Sequence, residues 1–383
     1  MTMMPLSLYI HIPWCVRKCP YCDFNSHQQK NELPESEYVQ RLLQDLEYDL
    51  RHFDIDTNQR KIHSIFFGGG TPSLFLSDSI GRIIDGVNDR IQLETGCEIT
   101  LEANPGTFEA EKFAGFRQAG VNRLSIGIQS FNDEHLKKLG RIHNADEAKK
   151  AITTAFDSGF ENINLDLMYA LPEQTYDQAL SDVEMALSFP VTHLSHYQLT
   201  LEPNTLFAKF PPKLPDDDSA WAIQDACQKL IAENRFKQYE VSAYSKLDKQ
   251  CQHNLNYWRF GDYLGIGAGA HGKITDTRGS VHRTAKPRHP KQYLDNALGD
   301  DFIHATKVTA SNLAFEYFLN RLRLQERFSL QEFAQMTGLD SDTVIEKIDT
   351  AKSREWLRVA DSSIRVTPLG QQFLNDLQAL FLP

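Results

Sequence analysis

The stretch CVRKCPYC, residues 15–22, places three thiols within eight residues of a 383-residue chain. Clustered cysteines in a cysteine-poor chain are typical of metal-binding or redox sites rather than of disulfides. Cys97, Cys227 and Cys251 stand singly, so no second Cys-x-x-Cys pair closes a zinc tetrahedron. Three thiolates on a four-iron cluster would leave one iron open to a small molecule. The alternative is a Cys3His zinc knuckle that uses His11.

Alternating strands and helices surround this loop. Before it, LSLYIHIP (residues 6–13) alternates apolar and polar side chains, which predicts a half-buried strand. Five further strand-like runs are separated by helical segments: KIHSIFF (61–67), CEITLEAN (97–104), RLSIGIQS (123–130), NINLDLMYA (162–170) and HLSHYQLT (193–200). This order predicts an α/β protein with a partial, parallel (β/α)6 barrel of the TIM type. Its functional groups are then expected at the carboxyl ends of the strands.

Glycines and polar side chains cluster at those strand ends. In GGGTP, Gly68, Gly69 and Gly70 are expected to let backbone amides approach a ligand, and Thr71 adds a hydroxyl. The same edge is predicted to carry the side chains Glu102, Gln129, Arg141 and Asp166. A strand-end carboxylate alone is more often a helix cap or a salt-bridge partner. Their joint placement around one barrel mouth favours a functional site.

A different pattern begins after residue 305. The segments SLQEFAQMTG and DSDTVIEKIDTAKSREW predict helices, LRVADSSIRVT a hairpin and PLGQQFLNDLQALF a last helix, which is a winged-helix-like order. Residues 329–383 hold 5 Lys/Arg against 8 Asp/Glu, a net charge of −3, which argues against DNA binding. We predict three units, 1–215 as the barrel core, 216–305 as a barrel-completing segment and 306–383 as the winged-helix-like α+β domain. The last unit is expected to cap the barrel or to meet a recipient protein.

The composition indicates where the chain works. Its formal net charge of −11 disfavours a sequence-independent hold on nucleic acid. The beginning, MTMMPLSLYIHIPW, has neither a basic start nor a long apolar run, so we expect no secretory signal and a cytoplasmic location. No apolar run approaches the roughly 20 residues that cross a bilayer, so stable membrane insertion is not expected.

With these motifs in order, the chain resembles the radical S-adenosylmethionine (SAM) superfamily. Within it, the chain is similar to the HemW family of haem chaperones, relatives of the oxygen-independent coproporphyrinogen III oxidases (HemN). The likeness runs over nearly the whole length, through LSLYIHIPWCVRKCPYCDFNSH, FGGGTPSL, LEANPG, GVNRLSIGIQSF, NLDLMYALP and CQHNLNYWRFGDYLGIGAGAHGK. The resemblance implies that Cys15, Cys19 and Cys22 ligate a 4Fe–4S cluster. It also implies that SAM, or a second copy of it, is held by Tyr9, Tyr21, Gly69, Gly70, Thr71, Glu102, Gln129, Arg141 and Asp166.

Two departures from the oxidase pattern favour the chaperone. Phe24 stands where the oxidases have a further cysteine, and only 14 residues precede Cys15. We therefore predict a haem chaperone with an intact radical SAM site rather than an enzyme. The alternative is a radical SAM oxidoreductase acting on a porphyrin, such as a coproporphyrinogen III oxidase. The expected partners are haem, acceptor haemoproteins of unknown identity and an electron donor.

The segment CQHNLNYW, residues 251–258, matches the HNxxYW signature of HemW-like proteins. The likeness implies that His253 binds haem, with Tyr257 and Trp258 packing on the porphyrin, since a neutral imidazole ligates haem iron. The alternative is that these side chains satisfy backbone groups and fill the core. Cys251 raises covalent haem attachment, although a CxxCH signature is absent. In HRTAKPRHP, three basic residues lie close together and suit the haem propionates, the alternative being a solvated loop: Arg283, Lys286 and Arg288.

Overall fold

The computed structural model describes residues 4–106, 111–299 and 302–383. Within these residues, one large sheet and two small ones are formed by the following strands. They are β1 Leu6–Ile12, β2 Trp14–Cys15, β3 His27–Gln28, β4 Ile62–Gly69, β5 Leu93–Ala103, β6 Arg123–Gln129, β7 Ile163–Tyr169, β8 His193–Gln198, β9 Lys237–Gln238, β10 Ala243–Ser245, β11 Asp262–Ile266, β12 His271–Thr275, β13 Val281–Ala285, β14 His304–Lys307, β15 Leu357–Ala360 and β16 Ser363–Val366.

Helices connect these strands and cover the sheet. Those of the barrel region are Glu35–His52, Ser77–Asn88, Phe113–Gln118, Asp133–Lys138, Ala145–Asp157, Tyr176–Leu187, Leu206–Lys209, Asp217–Glu233, Gln252–Trp258 and Pro290–Asp295, with a 3-10 turn at Pro72–Leu74. The later ones are Ala310–Arg321, Leu330–Thr337, Ile345–Ser353, Pro368–Gln372 and Leu374–Ala379, with a 3-10 turn at Ser341–Val344. Among the described residues, none of these helices combines the length and apolar character of a membrane span.

The six predicted strands are confirmed as neighbours in one parallel sheet. The order of the twelve strands described is β14-β13-β12-β11-β1-β4-β5-β6-β7-β8-β10-β9, and β1, β4, β5, β6, β7 and β8 pair in parallel. A seventh parallel strand, β11, pairs with the other side of β1 and was not predicted. No pairing joins β14 to β9 in the part of the chain that the structure describes, so the barrel is partial.

Strand β1 is buried on both faces, which corrects the half-buried strand expected from its alternation. Leu8 and Ile10 have no exposed surface and belong to the main hydrophobic core. On the other face, Ser7 and His11 are also buried, at 0% and 4% exposure. The strand lies between two parallel neighbours, where both faces are covered. Its polar residues therefore line the barrel interior rather than solvent.

The C-terminal unit has the predicted winged-helix-like order. Strands β15 and β16 form the antiparallel hairpin, and the flanking helices pack around a separate aromatic core in which the rings of Phe318 and Phe381 stack at 3.8 Å. This core includes Phe260 of the barrel region, whose ring lies 5.6 Å from that of Tyr317. Strand β14, His304–Lys307, spans the boundary predicted at 305/306. The division into three units stays a prediction.

Candidate functional site

A cavity of about 460 Å³ opens at the carboxyl ends of the parallel strands. The three clustered cysteines line it, together with all but one of the residues that the SAM-site expectation named: Cys15, Cys19, Cys22, Tyr21, Gly69, Gly70, Thr71, Glu102, Gln129, Arg141 and Asp166. The register explains their meeting, because His11 of β1 pairs with Gly68 of β4 and Asp166 of β7 pairs with Ser195 of β8. The glycine turn and the cysteine loop thus leave the sheet at one edge.

Each of the three thiols has a different polar neighbour. Thr71 donates its hydroxyl to Cys15 Sγ at 3.5 Å, and Arg141 Nη1 donates to Cys19 Sγ at 3.7 Å. Cys22 Sγ lies 3.8 Å from Ser26 Oγ. Burial raises the pKa of Cys15 and of Cys22, while their hydroxyl neighbours partly oppose the shift. Both are therefore thiols at neutral pH, and a metal that binds them must release their protons.

The zinc-knuckle alternative does not fit this geometry. His11 Nε2 lies 2.9 Å from the carbonyl oxygen of Asn25, and its Nδ1 lies 3.0 Å from the hydroxyl of Tyr9. Both ring nitrogens are engaged, so His11 cannot serve as a fourth ligand here. Across residues 4–106, 111–299 and 302–383, no three His, Cys, Asp or Glu side chains converge on one metal ion. Thiols that share a cavity without converging suit a multi-iron cluster, in which each thiolate binds its own iron.

The glycine turn lines the cavity and is also packed against the cysteine loop, with its amides hydrogen-bonded within the protein. The amide of Gly69 donates to Glu102 Oε2 at 3.2 Å, that of Gly70 to the Ile12 carbonyl at 2.8 Å, and that of Thr71 to the Trp14 carbonyl at 2.7 Å. A Cβ on Gly70 would lie 2.5 Å from the Trp14 oxygen. Gly70 is therefore required by close backbone packing.

Glu102 and Asp166 bring two carboxyl groups to the cavity. Burial raises the pKa of Glu102 to about 8, Asp166 adds repulsion, and the Gly69 amide partly opposes both. Burial also raises the pKa of Asp166, although Asn164 and Ser125 donate to it at 2.8 and 3.0 Å. A cation that enters the cavity would relieve this repulsion. The site is thus suited to a positively charged ligand.

A polar chain connects the remaining residues, and sequence reasoning missed part of it. Arg141 Nη2 donates to Asn104 Oδ1 at 2.7 Å, and Asn104 Nδ2 donates to Thr71 Oγ1 at 2.9 Å. Asn104 thereby links the neighbours of Cys15 and Cys19. The hydroxyl of Tyr197, also missed, donates to Gln129 Oε1 at 2.8 Å. Asn104 lies two residues after Glu102 and Tyr197 lies near the end of β8, so the strand-end rule applied to those positions would have found them.

The backbone conformation of Gln129 explains why its side chain lines the cavity. Its φ is +68°, and the β6–β7 register shifts between Ile126 and Gln129, a bulge-like irregularity. Bulges of this kind re-aim side chains at the rims of barrels. Tyr9, in contrast, does not line the cavity. Its hydroxyl bonds to His11 Nδ1, and its ring stacks on that of Phe66 at 6.4 Å.

His253, which the sequence predicts as the haem ligand, is buried in this conformation. Its side chain belongs to helix Gln252–Trp258 and is 1% exposed. Nδ1 lies 3.0 Å from Ser64 Oγ and Nε2 lies 2.7 Å from the Tyr257 hydroxyl. Burial lowers the pKa of His253 to about 3, so the ring is neutral, but neither nitrogen is available to iron. Haem does not fit at His253 without movement of this helix.

The neighbours of His253 are equally engaged. Cys251 has no exposed surface, and burial raises the pKa of its thiol to about 12. A thiol in this state is unreactive, which argues against the thioether attachment of haem raised by the sequence. Trp258 packs under the guanidinium of Arg323, whose carbon lies 4.4 Å from the ring centroid. Arg323 also pairs with Glu240 at 3.0 Å. The HNLNYW helix therefore joins the barrel to the C-terminal unit.

The basic group considered for haem propionates is mostly neutralised within the protein. Lys286 is 3% exposed and pairs with Asp45 and Asp49, each at 2.5 Å. Arg283 pairs with Glu316 at 2.7 Å. These partners come from distant parts of the sequence, which the local run of basic residues does not reveal. Only Arg288 of the three presents an exposed side chain.

Comparisons with known proteins define the class to which this chain belongs. A model of the radical SAM superfamily matches residues 9–186, and one of the HemN C-terminal domain matches residues 308–373. The chain is similar to the coproporphyrinogen III oxidase HemN from Escherichia coli, a radical SAM enzyme. That similarity has a TM-score of 0.81 at 22% identity and covers 99% of this chain and 90% of that one. At this identity the likeness concerns the fold, which is that of a radical SAM protein.

More similar relatives identify the branch. The heme chaperone HemW from Haemophilus influenzae is 52% identical over 99% of this chain and 98% of its own length. HemW from Escherichia coli is 49% identical with the same coverage, and HemW from Bacillus subtilis is 33% identical over 98% of this chain and 99% of its own. The chain belongs to the HemW family.

Proposed function

We propose that this protein holds a 4Fe–4S cluster and SAM in the cavity and carries haem to acceptor haemoproteins. Cys15, Cys19 and Cys22 would ligate the cluster. The observation that carries this proposal is the meeting of three half-buried thiols with a carboxylate pair in one cavity. When bound, the cluster supplies one-electron chemistry at its open iron. Haem is the cargo, in keeping with the names of the full-length relatives.

In this proposal, the residues that line the cavity have different roles. Glu102 and Asp166 would receive the ammonium and sulfonium charges of SAM, and Gln129 would hydrogen-bond to it. Arg141 donates to Cys19, so its charge would stabilise the thiolate that the cluster needs. Glu102 holds a proton at neutral pH until the cation arrives. All six cysteines are free, which supports a reducing, cytoplasmic location.

The second candidate is an oxidoreductase that acts on a porphyrin, since the fold likeness to the oxidase spans the chain. Phe24 favours the chaperone. Its side chain lines the cavity and is 58% exposed, at the position where the oxidase pattern has a cysteine. An apolar group there offers no ligand for a further metal site and no polar contact to a substrate.

One experiment separates the two functions. The anaerobically reconstituted protein is loaded with haem, and transfer to apomyoglobin, a generic acceptor, is followed by the change in the Soret band. The same preparation is incubated with coproporphyrinogen III, SAM and a reductant. We expect haem transfer without substrate conversion. Robust conversion to protoporphyrinogen would establish the oxidase instead.

Glu102→Gln is expected to weaken SAM binding roughly tenfold to a hundredfold, because one charge-assisted contact to a cation is lost. Equilibrium dialysis of the cluster-loaded protein measures this affinity. The matched control is Glu134→Gln, which removes a surface carboxylate paired with Lys137. Equal SAM affinity in both variants would show that Glu102 is not a ligand residue.

The same substitution has a pH signature in the cluster-free protein. Because the folded-state pKa of Glu102 is raised from 4.5 to about 8, the unfolded chain binds fewer protons within that window. Stability due to Glu102 is therefore lost as the pH rises through the window. Glu102→Gln is expected to raise the free energy of unfolding by about 1 to 3 kcal/mol at pH 8 and above, after allowance for solvent in the cavity, and to change it little below pH 4.5. Urea unfolding at several pH values tests this.

His253→Ala is expected to destabilise the haem-free protein by roughly 2 kcal/mol or more, because Ser64 and Tyr257 lose a buried partner and a cavity remains. His52→Ala, at an exposed helix end, is the control. Thermal unfolding measures both. A loss of haem binding in His253→Ala would therefore not by itself identify a ligand, and a stability equal to that of the control would contradict the packing described.

A further inference from the structure

A second histidine stands beside the cysteine loop, outside the haem motif. His27 lies in β3, which pairs in parallel with β2 so that His27 is opposite Trp14 and Gln28 is opposite Cys15. Its side chain is only partly covered, in contrast to the 1% exposure of His253. The position is therefore next to the first cluster thiol but open to solvent.

The hydrogen bonding of His27 defines its tautomer. Nε2 lies 3.3 Å from the carbonyl oxygen of Arg288, and a carbonyl can only accept, so Nε2 carries the proton. Nδ1 of the neutral ring then has its lone pair, and within the described residues it has no hydrogen-bond partner. A metal-ligating histidine typically donates its other ring nitrogen to a carbonyl or carboxylate in this way. His27 is thus arranged as a ligand.

Burial and the nearby charges keep the His27 ring neutral, and those charges suit an anion. Burial lowers the pKa of His27, and the nearby cations Lys18 and Arg288 lower it further. Lys18 Nζ donates to the carbonyl oxygens of Phe24 and Ser26 at 3.0 and 3.3 Å. Neither cation forms an ion pair within the described parts of the chain, unlike Lys286. Two positive charges without carboxylate partners therefore lie close to a free imidazole nitrogen.

The cysteine loop also exposes apolar side chains. Phe24 and Val16 are 58% and 42% exposed on the same loop. The ring of His289 meets that of His27 edge-on, with centroids 5.3 Å apart and an interplanar angle of 70°. A flat, apolar dianion with a central metal matches these three kinds of group in its chemistry. Haem has this chemistry, with propionates for Lys18 and Arg288.

We propose that His27 supplies the axial ligand to haem iron through Nδ1 in this closed conformation. Lys18 and Arg288 face the propionates, and Phe24 and Val16 contact the porphyrin. The inference rests on the proposed function, for which it names the binding site. A solvent-exposed site with one protein ligand suits a cargo that must dissociate, because the protein surface has to change little when haem leaves.

The test is a titration of the cluster-loaded protein with ferric haem, followed by absorbance. His27→Ala is expected to weaken binding at least tenfold and to shift the Soret band. Added imidazole should restore the wild-type spectrum, which a structural defect would not permit. His27→Gln keeps a donor for the Arg288 carbonyl, so it controls for folding and is expected to behave as His27→Ala. His52→Ala should leave affinity and spectrum unchanged.

The cations are tested separately. Lys18→Ala combined with Arg288→Ala is expected to weaken binding severalfold without a Soret shift, because the axial ligand remains. Unchanged haem affinity and spectrum in both His27 variants would overturn the inference while leaving the proposed function intact. A Soret shift confined to His253→Ala would also overturn it. Failure of the wild-type protein to bind haem would instead refute the proposed function.

Discussion

Cys19→Ser is expected to yield a folded protein that contains almost no iron or sulfide. Cys19 is one of three thiols that would each bind one iron, and a serine hydroxyl is a poor substitute for thiolate. The side chain is only partly buried, so the substitution removes little packing. After anaerobic reconstitution, we expect at least a tenfold lower iron and sulfide content than in the wild type. The broad visible absorbance of the cluster should disappear with it.

The matched control is Cys97→Ser. Cys97 is a single buried cysteine whose thiol donates to the Glu98 carbonyl at 3.8 Å, a bond that a hydroxyl can also form. Its iron content should equal that of the wild type. Equal iron in Cys19→Ser and Cys97→Ser, with both variants folded by circular dichroism, would remove the basis for a cluster at the cavity.

Gly70→Ala is expected to destabilise the junction between the glycine turn and the cysteine loop. Its new Cβ would lie 2.5 Å from the Trp14 oxygen and 2.8 Å from the Ile12 oxygen, and both are backbone atoms that hold the turn. Relief requires the two backbones to separate, which breaks hydrogen bonds next to Cys15. We expect a loss of about 1 to 3 kcal/mol in the free energy of unfolding, measured in urea, and incomplete cluster assembly.

Gly81→Ala is the control, and it is expected to change the free energy of unfolding in the opposite direction. Gly81 lies within helix Ser77–Asn88, and a Cβ there would have an ordinary contact at 3.5 Å. Alanine should stabilise this helix by up to about 1 kcal/mol. If Gly70→Ala were as stable as Gly81→Ala and assembled its cluster normally, that result would contradict the tight packing described for the turn.

Local patterns were sufficient for much of the architecture. The alternation in LSLYIHIP predicted β1, five further strand-like runs predicted β4, β5, β6, β7 and β8, and their alternation with helical segments predicted the parallel sheet. Strand β11 was missed because its five residues include Gly265 and carry no alternation long enough to detect. Its place beside β1 depends on pairing between distant parts of the chain. Such pairing is a tertiary property that no local window contains.

The candidate site divides in the same way. The strand-end rule brought Glu102, Gln129 and Asp166 to one cavity without knowledge of the fold. It did not show that the Gly70 amide donates to the Ile12 carbonyl, because that bond joins the turn after β4 to the end of β1. The rule identifies which side chains meet, but not which of their atoms remain free.

By itself, the sequence determined the three clustered thiols, the parallel sheet formed by the six predicted strands and the edge at which functional side chains collect, since spacing and periodicity are local. Only the tertiary structure decided which groups are available to a ligand. His253 is closed by Ser64, and Lys286 is neutralised by Asp45, each from a distant segment. Nδ1 of His27 has no hydrogen-bond partner among the residues that the structure describes. Burial, hydrogen bonding and charge pairing depend on neighbours in space, and the folded chain alone defines those neighbours.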